Sequence, residues 1–274
     1  MPELPEVETI ARGLEPRLRG RTVAAFELLH LPLLRRGGPK ALAALRGRRI
    51  LGVRRRGKML LFELDGQRTL VFHLKMTGQF LFAPSSAPRD KHTRLVLRFS
   101  DGRDELRFHD IRKFGFLLCV EGDPACACGE LAALGPEPLE VPFSEFAAPF
   151  KRRKARIKAL LLDQTAIAGI GNIYADEMLF DAGIHPKKTA SLLSRAAVAR
   201  LHASMRKILT QAIADGGSTL QDFRDADGRE GSYQDSHKVY GRAGEPCPAC
   251  GSAIRRIIVA GRSTHFCPEC QRRR

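Results

Sequence analysis

Apolar residues recur at Leu4, Val7, Ile10, Ala11, Leu14 and Leu18, spaced by three and four. That spacing lines one face of a helix and predicts one over residues 3–19. From residue 21 to about 120 the pattern changes to short runs of branched and aromatic residues. Runs at 49–55, 59–64, 69–74, 79–82, 95–99, 105–108 and 114–120 predict strands. Asp65-Gly66 and Asp101-Gly102 separate neighbouring runs, as hairpin turns do. Strands in such series predict an antiparallel β-sandwich or barrel.

Residues 135–150 hold four prolines and few periodic positions, which predicts a linker. Beyond it the chain turns helical. A short helix is expected over 155–164, then a turn at Gly169-Ile170-Gly171, then a second helix over 172–182 closed by Gly183. Ser194 reads as the N-cap of a longer helix reaching about Ala214, with Leu201, Met205, Ile208, Leu209 and Ala212 facing inward. Gly216-Gly217 ends it. Residues 217–238 are polar and aperiodic, so a mobile loop is expected; a loop that long is usually functional or disordered. The domains read as 2–134, a linker at 135–150, a helical part at 151–238 and a small C-terminal part at 239–274.

Charge narrows the partner. The 46 Lys and Arg outweigh 30 Asp and Glu, giving a net +16 over 274 residues. An excess of this size favours an anionic partner, most commonly a polyphosphate backbone. No apolar run approaches the roughly 18–20 residues of a spanning helix. The start is acidic and not basic-then-apolar, so no secretory signal is expected and the chain reads as cytoplasmic. Tryptophan is absent and aromatics make up 7% of residues, which argues against an extensive stacking platform for bases.

Cys247-Pro248-Ala249-Cys250 and Cys267-Pro268-Glu269-Cys270 are two C-x-x-C knuckles with 16 residues between them. In a reducing compartment this spacing predicts one structural Zn2+ held by four thiolates, with a β-hairpin over 254–265 between the knuckles. So few apolar residues would not fold without the metal. Arg255, Arg256 and Arg262 on the hairpin and the arginines at 272–274 give it a basic surface. Cys119 lies in an apolar strand and reads as core, while Cys126 and Cys128 lack the spacing for a second site.

The first residues carry candidate chemistry. Removal of Met1 would leave Pro2 with a secondary amine, and an α-amine titrates at about 7.7–8.0, so much of it is neutral near pH 7. A neutral secondary amine that condenses with a sugar aldehyde carbon gives a cationic iminium, an electron sink. Glu3 stands beside it for proton transfer. The same Pro2, Pro5 and carboxylates also suit the plain opening of a helix.

Together the segments PELPEVET (2–9), RRGK (55–58), HLKMTG (73–78), DIRKFG (110–115), LGPEPL (134–139), DQTAIAGIGNIYADEMLF (163–180), GIHP (183–186), VYGR (239–242) and the cysteine quartet resemble the bacterial formamidopyrimidine-DNA glycosylase family. The resemblance covers essentially the whole chain. It implies an α+β multi-domain fold: an N-terminal antiparallel β-sandwich with flanking helices, a helix-two-turn-helix domain with a damaged-base loop at 217–238, and a zinc ribbon. It implies excision of oxidised purines from double-stranded DNA by a monomer, through a Schiff base on Pro2, followed by β,δ-elimination. Glu3 would transfer protons at the sugar, Glu6 would orient the site, and Lys58 would contact the phosphate beside the lesion and support catalysis. His73, Asn172 and Arg262 would grip the same backbone, Arg262 being grouped with the catalytic set. Met76, Arg112 and Phe114 would fill the hole left by the expelled base. His92, Lys158 and Tyr240 are further expected among the DNA-binding residues.

Two departures stand out. Lys75 occupies a place where the family often has a smaller residue, and Lys91-His92-Thr93-Arg94 lacks a second histidine. The closest alternative reading is an endonuclease VIII-like enzyme acting on oxidised pyrimidines. A non-catalytic zinc-ribbon DNA-binding protein explains the charge and cysteines but leaves Pro2-Glu3 without a role.

Overall fold

The computed structural model describes residues 1–221 and 223–273; Asp222 of the expected loop and Arg274 of the basic tail lie outside the described residues. The chain forms two compact units, Met1–Ala132 with Asp215–Ser232, and Ala133–Ala214 with the segment from Tyr233 onward.

The first unit opens with helix α1 (Leu4–Leu18). Its six periodic apolar residues are all buried, each large one contributing about 1.5–3 kcal/mol. Strands β1 (Val23–Leu28) and β2 (Leu34–Arg36) and the short helix α2 (Gly38–Ala43) follow. The sequence pattern did not mark β1, because Ala24, Ala25 and Glu27 break its alternation. Strands β3 (Ile50–Arg56), β4 (Met59–Leu64), β5 (Arg68–His73), β6 (Gly78–Ala83), β7 (Thr93–Phe99), β8 (Glu105–Asp110) and β9 (Phe116–Glu121) match the expected runs to within a residue or two. One-turn helices α3 (Pro124–Ala127) and α4 (Gly129–Ala132) close this part.

Two sheets result, in the orders β2-β9-β5-β4-β3 and β1-β7-β8-β6. Every neighbouring pair is antiparallel except β2 with β9, which is parallel. Phe62 and Phe72 from the first sheet meet Phe80 and Phe108 from the second, with ring centroids 4.9–5.8 Å apart. That aromatic cluster is the centre of the sandwich.

The segment Asp215–Ser232 packs on this unit, whereas the sequence grouped 217–238 with the helices. Phe223 and Ala226 are buried in the same apolar cluster as α1 and the sheets. Arg17 donates to Asp227 at 2.7 Å. Long-range docking of this kind leaves no periodic trace in a polar loop. Tyr233–Ser236 forms a short 3-10 turn.

The second unit contains α5 (Phe143–Arg152), α6 (Ile157–Leu162), α7 (Asn172–Asp181), α8 (Arg195–Ala214) and the hairpin β10 (Arg255–Val259) and β11 (Arg262–Phe266). Helix α5 corrects the expected linker. Pro142 serves as its N-cap, and Phe146 and Phe150, one turn apart, bury their rings with centroids 5.0 Å from each other. The prolines concealed a helix that packing pays for. Ser194 Oγ accepts the Ala197 N–H at 3.2 Å, which caps α8 as expected. Between α6 and α7, the Gln164 side chain donates to Leu162 O and Ile170 O and accepts from Gly169 N. Gly135 lies flat on this turn; a Cβ there would stand 2.7 Å from Thr165 O. Among the described residues no helix is long and apolar enough to cross a membrane.

Candidate functional site

In the first unit, the start of α1 is a closed knot of carboxylates. Pro2 is buried while Met1 is 49% exposed. Glu3 is the N-cap of α1 and Glu6 its third residue, and they form a capping box: the Glu3 carboxylate accepts from the Glu6 backbone, and the Glu3 N–H donates to Glu6 Oε2 at 2.8 Å. Both side chains are 3% exposed or less. The other Glu6 oxygen accepts the Ser218 N–H at 2.7 Å. Gly217 makes this approach possible: its φ is +84° and a Cβ would meet Glu6 Oε1 at 2.8 Å. The expected damaged-base loop is thus hooked to the third residue of the first helix.

The turn between β3 and β4 holds Lys58, which is buried to 8% exposure. Arg55 Nε donates to Glu8 at 2.8 Å and its Nη1 to Gly57 O at 3.1 Å, which ties that turn to α1. Met59, next to Lys58, pairs with His73 across β4 and β5. Burial first, and then the charges of Lys75, Lys58 and Arg35, push His73 down to about 3. The ring is therefore neutral. Its Nδ1 accepts the Lys75 N–H at 3.0 Å, so Nε2 carries the proton and is a hydrogen-bond donor.

Met76 and Phe114 are exposed, by 39% and 48%. Arg112 stands with its guanidinium carbon 4.7 Å from the Phe114 ring centroid. Exposed apolar side chains beside a cation are what an insertion wedge requires. The loop bearing Arg112 and Phe114 is braced from below. The fully buried Asp110 accepts from the Thr77 hydroxyl and, at 2.8 Å, from Gly115 N; Thr77 Oγ1 in turn accepts the Arg112 N–H at 3.0 Å. Arg94 is buried beneath, donating through Nε to Asp110 O at 2.8 Å and through Nη2 to His92 Nδ1 at 3.2 Å. The Arg94 guanidinium is therefore a strut. Accepting on Nδ1 leaves His92 with a donor at Nε2. The sequence reading assigned Thr77 and Asp110 no role, although they lie inside the HLKMTG and DIRKFG segments, and marked Arg94 only as part of a departure.

In the second unit, Lys158 departs from expectation. It is fully buried at 0% exposure, and its ammonium donates to Asp176 Oδ1 at 2.6 Å, Thr264 Oγ1 at 2.9 Å and Ser263 O at 3.0 Å. All three donors are used within the protein, so Lys158 does not face DNA. Asp176 accepts with its other oxygen from His265 N at 2.9 Å. Asn172, the first residue of α7, donates through Nδ2 to Ser263 O at 3.0 Å. Lys158, Asp176 and Asn172 together clamp the strand immediately after Arg262, which is exposed at the hairpin tip. Tyr240 is only partly exposed, its ring lying edge-on to His265 and His237 at 5.2 and 5.6 Å. The N–H groups of Lys238, Val239 and Tyr240 all donate to the buried Glu177, at 2.8–3.0 Å. Burial pushes that carboxyl up and the three donors pull it back.

The sulfur atoms of Cys247, Cys250, Cys267 and Cys270 lie within 4.8 Å of one another. Cys247 and Cys270 are 3.8 Å apart, Cys250 and Cys267 3.4 Å. A tetrahedral zinc with bonds of about 2.3 Å has sulfur–sulfur edges of about 3.8 Å. The donor set and its size fit one Zn2+. Ala249 N and Cys270 N each donate to a ligand sulfur at 3.4 Å, as folded knuckles do.

Three family models match the chain: the formamidopyrimidine-DNA glycosylase N-terminal domain over residues 1–117, its H2TH domain over 134–224, and a zinc finger found in FPG and IleRS over 244–273. A formamidopyrimidine-DNA glycosylase of Solibacter usitatus is 49% identical over 274 residues, covering 100% of both chains. Among solved structures, a Lactococcus lactis FPG mutant complexed with Fapy-dG containing DNA gives a TM-score of 0.93 at 39% identity, covering 99% of this chain and 100% of that one. The Lactococcus lactis Fpg complex with abasic-site DNA gives 0.91 at 38% identity, with the same coverage.

Proposed function

The chain belongs to the formamidopyrimidine-DNA glycosylase family, and from that premise we propose that it is a bifunctional base-excision-repair enzyme. It removes oxidised purines, 8-oxoguanine and formamidopyrimidines, and then cuts the strand at the abasic sugar. The observation that carries this is the buried Pro2-Glu3-Glu6 cluster hooked to Ser218. It joins a nucleophile, a proton carrier and a loop that reaches the base.

Met1 must first be removed, because an acylated Pro2 nitrogen has no basic lone pair. The freed amine attacks C1′ of the flipped nucleotide, the glycosidic bond breaks, and the base leaves with the bonding electrons and a proton. Glu3 protonates the ring oxygen as the sugar opens to an iminium. The iminium acidifies the C2′ hydrogen, whose loss expels the 3′ phosphate; a second elimination expels the 5′ phosphate. Flipping costs a few kcal/mol, which Met76, Arg112 and Phe114 offset by filling the vacancy. Lys58, the Nε2 donor of His73, Asn172 and Arg262 hold the backbone, with the Nε2 donor of His92 and with Tyr240 in the same role.

Zinc, held by the four cysteines, cross-links the hairpin, and no step passes through it. We assign catalysis and part of the DNA grip to the N-terminal sandwich completed by Asp215–Ser232, and the rest of the grip to the helical part and zinc ribbon. The enzyme works as a monomer in the cytoplasm, at the nucleoid.

Borohydride trapping on duplexes with 8-oxoguanine opposite cytosine tests the reading, with wild type beside Pro2→Gly and Glu3→Gln. A covalent adduct mapped to Pro2 in wild type and absent from Pro2→Gly is expected. An adduct on another residue overturns the assignment, and no adduct from protein lacking Met1 favours a binding module. Faster release of thymine glycol than of 8-oxoguanine favours the endonuclease VIII-like alternative.

A further inference from the structure

Three cationic or donor side chains converge on one aromatic ring at the edge of the five-stranded sheet. The Arg35 guanidinium carbon stands 4.4 Å from the Phe116 ring centroid, Lys75 Nζ 5.4 Å from it, and the His73 ring 5.3 Å from it. Their placement is built into the backbone. His73 and Phe116 are register partners in β5 and β9, and Leu34 pairs with Leu117 where β2 runs alongside β9. Gly37 holds β2 there: with φ +97°, its missing side chain would overlap Cys119, whose Cβ would lie 2.7 Å away. Lys75 has a φ of +54°, uncommon for a residue with a side chain, and its N–H is spent on His73 Nδ1.

Neither Arg35 nor Lys75 has a carboxylate partner among the described residues. Burial and the Arg35 charge press the Lys75 ammonium below its ordinary value, and no acid relieves it. Arg35 is exposed and Lys75 half-buried, so both are open to a ligand. The buried cations Arg55 and Lys158 are instead paired internally, with Glu8 and Asp176. Like charges gathered over a ring without a counter-ion are a site arranged for an external anion.

We propose that Arg35 and Lys75, braced on Phe116 beside His73, form an additional phosphate-binding site that takes the DNA backbone phosphate next to the one held by Lys58 and His73. This rests on the DNA-repair reading above. It gives Lys75, a departure from the family pattern, and Arg35, on the exposed face of β2, a shared purpose. The site adds binding and register and takes no part in bond breaking.

The test uses the zinc-loaded protein and a duplex carrying a stable abasic-site analogue. Dissociation constants are measured against salt for wild type, Arg35→Gln, Lys75→Gln, Arg35→Lys and, as a remote control, Arg103→Gln. Loss of one phosphate contact should lower the slope of log affinity against log salt by about 0.9. That loss is expected in Arg35→Gln and Lys75→Gln, with Arg35→Lys near wild type and the control unchanged. A scan of single methylphosphonate linkages then locates the phosphate. One linkage should weaken wild type and leave Arg35→Gln indifferent. Slopes unchanged in both glutamine variants, or every linkage felt equally by wild type and Arg35→Gln, would overturn the proposal. Wild type that fails to bind DNA, or binds it without forming the Pro2 adduct, would instead count against the underlying reading.

Discussion

Glu6 and Ser218 are joined by a 2.7 Å hydrogen bond across 212 positions of sequence. One carboxylate therefore fixes both the turn that presents Glu3 and the root of the loop that follows α8. Glu6→Gln keeps the shape but offers one acceptor to two buried N–H groups, and an orphaned donor costs about 1–3 kcal/mol. Amide exchange at Ser218 should accelerate by tenfold or more. Base release should slow more than strand cutting at a preformed abasic site. Unchanged exchange at Ser218 would show that the loop is held by other means.

The Thr77 hydroxyl links Asp110 to the Arg112 backbone. Thr77→Val is close in shape and removes both bonds. Excision from an intact 8-oxoguanine duplex should fall roughly tenfold, about 1.4 kcal/mol, because the plugging loop loses its brace. Cutting of an abasic duplex, which has no base to expel, should fall less. Equal losses on the two substrates would point to a general folding defect.

Lys158 separates structural from DNA-contacting behaviour. Lys158→Met leaves Asp176 buried without its cation, at a cost of about 3–5 kcal/mol. The unit containing the zinc hairpin should melt well below wild type. The salt slope of DNA binding, measured below that melting point, should stay the same because no phosphate contact is lost. A slope reduced by about one would instead restore Lys158 to the DNA surface.

His73 titrates at about 3 in the fold against an ordinary 6.5, because burial and then the charges of Lys75, Lys58 and Arg35 oppose its protonation. As pH falls below 6.5 the unfolded chain takes up a proton that the fold refuses, so acid drains stability between about pH 6.5 and 3. His73→Gln should flatten the stability–pH curve in that window and leave it unchanged above pH 7. The loss of DNA affinity caused by His73→Gln should be the same at pH 8 and pH 5.5, since the neutral ring donates at both. A loss that grows toward acid would mean that the ring binds phosphate as a cation.

What the sequence by itself determined was everything carried by short-range repetition and by residue chemistry. The spacing of Leu4 to Leu18 set the α1 face, short runs of branched and aromatic residues set β3 to β9, Ser194 set the start of α8, and two C-x-x-C knuckles set a zinc site. These are local, because a helix or strand period and a knuckle are written within a few residues. Only the tertiary structure decided the rest. It made a helix of the proline-rich 143–152 stretch by burying Phe146 and Phe150, and it docked Phe223 and Ala226 on the first unit. It turned Lys158 inward to meet Asp176 and Thr264, and set Arg35 against Phe116. Each of those outcomes depends on what lies across from a residue in space. A side chain far away in the chain supplies it, and no pattern in the nearby sequence can announce it.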